Sequence, residues 1–319
     1  MKPVMWLSLV VSGTLIVGCS SSSTTPGSTG GSAGIGGNSS TSQATSAGGS
    51  TQTGSSATGG TSAASTSCSK TCGALEECGS KGLCVAKMVS ITASTNYKID
   101  VTAVTQGQYK AWLATNPALP TSTDPPCGWK ADPDGTLGEN YAIKGGIYDG
   151  ADADTYPVYM VDWCDSYAYC QAVGKHLCGK IGGGTNAYTD FADATKSQWY
   201  NVCSSGGTNK YPYGTTYNAT YCDGHDYNTT APGTVVAGSL SHCQSSTAGF
   251  TGVYDLSGNV REWEDSCSSG TDANGVDATC RVRGGDYYST NTQLACDFAD
   301  GAQRSNAGYN AVGFRCCSG

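Results

Sequence analysis

The chain has 319 residues, a formal net charge of −8 and only 13% charged residues, a balance that excludes a nucleic-acid-binding surface. Hydrophobic residues make up 38% of it, enough for one large core. Its 17 cysteines, in a chain that opens with an export signal, point to disulfides; with no C-x2-C spacing and only His176, His225 and His242 as imidazoles, zinc is the weaker reading.

Residues 1–19 read as a bacterial lipoprotein signal peptide. Lys2 is the positive n-region, Val4 to Val17 is an apolar run, and Ile16-Val17-Gly18-Cys19 is a lipobox. The run is shorter than the roughly 20 residues a membrane span needs. Lipidation at Cys19 would make the membrane the first partner, and an ordinary secretory signal is the alternative. Ser20 stands after Cys19 in place of the Asp that favours inner-membrane retention, so the outer membrane of a bacterial cell envelope is the preferred location. Residues 20–67 are almost entirely Ser, Thr, Gly and Ala with virtually no large apolar residue, a composition expected to form a disordered tether. Cys68, Cys72, Cys78 and Cys84 then mark a small Cys-rich module, residues 68–87, stapled by two disulfides.

Residues 88–319 have the composition of one folded domain. Its opening, YKIDVTAVTQGQY (Tyr97–Tyr109), alternates as a strand and passes through Thr105, an N-cap, into a helix carrying Tyr109, Trp112 and Leu113. PVYMVDWCDSYAYC (Pro157–Cys170) repeats the plan, with Asp162 as N-cap and Tyr167, Ala168 and Cys170 on the buried side. GKHL (Gly174–Leu177), SQWYNVC (Ser197–Cys203) and the turn YPYG (Tyr211–Gly214) follow. A long irregular stretch then leads to GVYDLSGNVREWEDSC (Gly252–Cys267), RVRGGDYYS (Arg281–Ser289) and GFRCC (Gly313–Cys317).

In this order the motifs resemble the formylglycine-generating enzyme (sulfatase-modifying factor) family, whose runs are G-x-Y-D-M-x-G-N-V-W-E-W, R-G-G-S and G-F-R. The resemblance is collinear over residues 88–319 and implies an α+β, C-type-lectin-like fold, coil-rich and disulfide-stabilised. It departs from the family at Ala103, where a Glu is usual, at His176, where Arg is usual, and at Cys178, where a T-E-A-E-W-E run is replaced.

The resemblance also implies sites. Calcium would be held by Asp255 and Glu262 through side chains and by Gly258 and Val260 through carbonyls, a ligand mixture that suits a hard cation. The plainer reading is a turn capped by Asp255, with Glu262 paired to Arg261 or another base. The family's oxidation of a substrate cysteine uses copper on two thiolates, the ligands Cu(I) prefers. The matching positions here are Ser289 and Cys296, and a hydroxyl cannot replace a thiolate, so copper is not expected and Cys296 is expected in a disulfide. The iron-dependent relatives use three His from an added domain that this chain lacks. Arg283 and Arg315 are expected to bond carbonyls in a coil-rich core. The family also implies a Cys203–Cys316 bridge, leaving Cys317 to find its own partner.

Three functions remain open. The first is a lipid-anchored, non-catalytic module that binds a peptide, a glycan or an envelope protein; its 19 Tyr and 6 Trp against 4 Phe suit such a surface. The alternative is a diverged formylglycine-generating oxidase acting on the cysteine of a sulfatase-type substrate. The third is a purely structural envelope spacer.

Overall fold

The structure is a computed structural model that describes residues 67–319 apart from 69, 94–95, 122–125, 132–139, 146–147, 271–276 and 307–310. Cys19 and the expected signal peptide lie outside the described residues, as does the expected tether except for Ser67. The elements in chain order are strands β1 (Glu76–Cys78), β2 (Cys84–Ala86), β3 (Met88–Ile91) and β4 (Tyr97–Asp100) and helices α1 (Gln106–Leu113) and α2 (Trp163–Ala172). They continue with β5 (His176–Leu177), α3 (Gln198–Cys203), β6 (Arg261–Cys267), β7 (Thr279–Arg283), β8 (Asp300–Gln303), β9 (Val312–Phe314) and β10 (Cys316–Ser318). No helix among the described residues is long and apolar enough to cross a membrane.

Two four-stranded sheets organise these elements, in the orders β3-β4-β10-β5 and β8-β7-β6-β9. The GFRCC segment joins them. Phe314 in β9 lies parallel beside Trp263 of β6, and Cys317 in β10 lies antiparallel between Ile99 and His176. The end of the chain is thus the hinge of the whole core, and Arg315, between the two strands, is fully buried.

Both predicted helix starts form for the stated reason. Thr105 and Gln108 close a reciprocal capping box on α1, and Asp162 and Asp165 do the same on α2, each satisfying amides that the first turn would leave orphaned. The buried side of α2 falls on Tyr169 and Cys170, while Tyr167 and Ala168 are only half-buried. The ring of Tyr169 packs with Tyr109, Trp112 and Phe314, which sets the main core where α1, α2 and β9 meet. A second core gathers Trp199, Ile91, Ile99 and Leu256 with Cys203 and Cys296.

The hairpin β1-β2 is held by Cys68–Cys78 and Cys72–Cys84. It docks on the rest of the chain: Val85 enters the main core, and the Gln108 amide donates to Glu76 at 3.1 Å.

All sixteen described cysteines are paired. The bridge expected between Cys203 and Cys316 is not among them; Cys203 pairs with Cys296, Cys316 with Cys170, and Cys317 with Cys178. The reason is the strand period. Neighbours on β10 point to opposite faces, so Cys316 faces α2 while Cys317 faces the chain leaving β5. Cys203, at the end of α3, belongs to the second core and meets Cys296 there.

Candidate functional site

The strand β6 builds the site from a simple alternation. It is buried on both faces, with Trp263 on one and Glu262 and Glu264 on the other. Each of these carboxylates takes an arginine. Glu262 accepts from Arg315 Nε at 2.6 Å and Nη2 at 2.7 Å, and from the Trp199 indole at 2.9 Å. Glu264 accepts from Arg283 at 3.2 Å and from the Ser197 hydroxyl at 2.6 Å. The two arginines also bond carbonyls as expected: Arg283 reaches those of Phe191 and Cys296, and Arg315 those of Asp100 and Tyr254.

The turn before β6 is tight enough to need unusual backbone. Asp255 and Asn259 have φ of 59° and 64°. Gly258 has φ of 76°, and a Cβ there would lie 2.2 Å from the Asp223 carbonyl oxygen, so only glycine fits. That carbonyl accepts from the Asn259 amide at 2.7 Å, which brings Asp223 against the turn.

Three buried aspartates meet at this point. Asp255 accepts from the Gly238 amide at 2.7 Å, and burial pushes its carboxyl up to about 6. Burial, then the charges of Asp255 and Asp286, push Asp223 up to about 7, and its Oδ2 has no hydrogen-bond partner. Asp286 pairs with Arg261 at 3.2 Å. Raised carboxyls bind protons more readily folded than unfolded. Their stabilising effect is therefore complete below about pH 4 and lost as pH rises through about 6 to 7. Thermal unfolding is expected to shift to lower temperature between about pH 5 and pH 8, and Asp223→Asn should flatten that profile. An unchanged slope in the variant would remove Asp223 as its source.

On the far side of the Gly284-Gly285 turn, the Ser289 hydroxyl accepts from the Asp286 amide and donates to its carboxylate, both at 2.9 Å. It is a turn-closing group and is buried. Cys296, seven residues on, is bridged to Cys203. The motif order, the buried Glu–Arg frame and the paired-glycine turn occur together with a sequence match to the Sulfatase-modifying factor enzyme 1-like domain over residues 42–318.

The chain belongs to this family.

Its α+β, coil-rich and disulfide-stabilised architecture is the family's fold. Among solved structures the chain is similar to CarF, at 18% identity, covering 71% of this chain and 87% of that one with a TM-score of 0.46. It is similar to PvdO from Pseudomonas aeruginosa at 17% identity, 74% and 93% coverage and a TM-score of 0.44. Treponema denticola variable protein 1 matches at 18% identity, 73% and 91% coverage and a TM-score of 0.41. No curated protein matches the chain. The family match begins at residue 42, inside the stretch read from sequence as tether.

The two positions matched by resemblance to the family's copper thiolates do not fit copper, because Ser289 offers a bonded hydroxyl and Cys296 a disulfide sulfur. The family's calcium does not fit the four expected positions as they stand either. Asp255, Gly258 and Val260 share the turn, but both oxygens of Glu262 accept from Arg315.

The sequence reading missed the side chains that surround the 285–296 loop. Tyr287 and Tyr288 pack at 4.4 Å and Tyr148 stacks on Tyr156 at 4.0 Å, with Tyr288 53% and Tyr148 37% exposed. Tyr159, buried, is close to Tyr287, to Tyr288 and to the Tyr148 backbone. On the other flank, Tyr211 reaches the Asn291 carbonyl, and rings run from Tyr211 through Tyr213 and Tyr221 to His242. The only signal in the sequence was the excess of Tyr, which does not say where the rings gather.

Proposed function

We propose that this protein is a lipid-anchored, non-catalytic binding module of the cell envelope. Cys19 would carry the lipid, in the outer membrane rather than the inner, and residues 20–67 would hold the domain away from the surface. The 285–296 loop and its tyrosines would receive a glycan. The observation that carries this reading is the state of the two positions that the resemblance matches to the family's thiolates: one is a hydroxyl closing a turn and the other is locked in a disulfide.

A glycan fits the loop better than the other two ligand classes. Tyrosine offers a flat apolar face to sugar C–H groups and a hydroxyl to their oxygens, at little cost in side-chain entropy. The net charge of −8 disfavours acidic peptides. The test is binding of the full chain to arrayed envelope glycans, comparing wild type with Tyr288→Ala and Tyr148→Ala. Each variant should weaken binding roughly tenfold, or about 1.4 kcal/mol. Copper-dependent conversion of a cysteine peptide to formylglycine would overturn the reading in favour of the oxidase. Saturable binding to an envelope protein with no glycan bound would replace the ligand class.

A further inference from the structure

Away from the loop, a lysine is sealed inside the protein with two carboxylates. Lys130 is 1% exposed, and its Nζ lies 2.7 Å from Asp162 Oδ2 and 2.7 Å from Asp165 Oδ1. The rings of Trp129 and Tyr141 stand 5.3 and 5.5 Å from the same nitrogen. Tyr109 borders the carboxylates, and the buried Trp129 indole has no hydrogen-bond partner, so the enclosure is apolar. An ion triad of this kind is a weak source of stability, because desolvation offsets the attraction.

The geometry has a second property. Asp162 is the N-cap of α2, and its Oδ1 accepts from the Asp165 amide at 2.9 Å. A helix N-terminus therefore polarises the Asp162 carboxyl from one side while an amine faces it from the other. With Nζ at 2.7 Å from Oδ2, the carbon Cγ is necessarily within about 4 Å, close to an attack distance. The Cys127–Cys164 disulfide ties the same two segments and holds them in this register.

We propose that Lys130 and Asp162 condense to an intramolecular isopeptide bond, with Asp165 relaying the proton. The Nζ–Cγ bond forms and the Cγ–Oδ2 bond breaks. The ammonium gives one proton directly to Oδ2 and a second through Asp165 to the same oxygen, which leaves as water. One amide hydrogen stays on nitrogen, Oδ1 remains as the amide oxygen still capping α2, and no oxidant is needed.

Charge supports the same assignment of roles. Burial and the neighbouring Asp162 push Asp165 up to about 7, so it exchanges protons near neutrality. Burial pulls Lys130 down and the two carboxylates more than reverse it, so its proton leaves by transfer within the triad and not to solvent. The bond would hold the segment around Lys130 on α2 when Cys127–Cys164 is reduced.

The experiment is peptide mapping of the full chain after reduction, alkylation and trypsin. Residues 111–144 should appear uncut after Lys130 and joined to residues 145–175, lighter than the two peptides together by one water. Cleavage after Lys130, giving residues 111–130, 131–144 and 145–175 as three separate peptides of full mass, overturns the proposal and leaves an ion triad only. Asp165→Asn keeps a capping oxygen and the Lys130–Asp162 pair, and should form the bond roughly a hundredfold more slowly during refolding. Formation at the wild-type rate in that variant, folded by its far-UV spectrum, would overturn the relay.

Discussion

Removing both Cys170–Cys316 and Cys178–Cys317 by serine substitution is expected to cost more than twice the loss of either. The two bridges close rings of 146 and 139 residues, anchored on adjacent positions of β10. With one bridge intact, the other closes only a ring of about nine residues, worth about 2.5 kcal/mol in chain entropy. With both absent, the larger ring that runs through Cys203–Cys296, about 46 residues round, opens as well, and the loss becomes about 6.5 kcal/mol. That is of the order of the whole stability of a domain, so the double-bridge variant should fail to fold at moderate temperature. Denaturant unfolding of the two single-bridge variants and the double variant checks this. Additive losses would mean that β10 is held by its ladder and by Arg315 without help from the bridges.

Arg315→Met is the second large effect, expected to cost about 3–5 kcal/mol. The guanidinium is fully buried and makes two bonds to Glu262 and one each to the Asp100 and Tyr254 carbonyls. Methionine fills much of the space but leaves Glu262 charged, dry and bonded to little besides Trp199. Pairing the change with Glu262→Leu should restore part of the loss, since the penalty is the stranded charge and not the missing attraction. Arg315→Lys keeps the charge and loses the fork that spans both carboxylate oxygens, so an intermediate cost is expected. A loss in Arg315→Met smaller than about 1 kcal/mol, read from denaturant midpoints, would show that Glu262 finds another partner.

Much of the frame was legible because its signals are local. Thr105 and Asp162 announce their helices through caps that involve only the next three residues. Gly258 announces a backbone that no side chain tolerates. The disulfide pairing was not legible, since Cys316 and Cys317 are neighbours in sequence and are separated only by the pleat of β10. Nor was the commitment of Glu262: the sequence offers Arg261 next door, whereas the partner that reaches it lies 53 residues away. Arg261 instead turns out to Asp286 and Asp300.

The sequence by itself determined the family, the helix starts, the glycine turn and the absence of a thiolate at Ser289. These depend on residue identity and on spacings of a few positions. Only the tertiary structure decided that Cys296 is bridged to Cys203, that Arg315 occupies Glu262, and that the tyrosines gather around the 285–296 loop. It alone also enclosed Lys130 between two aspartates. Each of these joins residues tens of positions apart, and such partners are selected by which groups the closing core leaves without water, a quantity no local pattern carries.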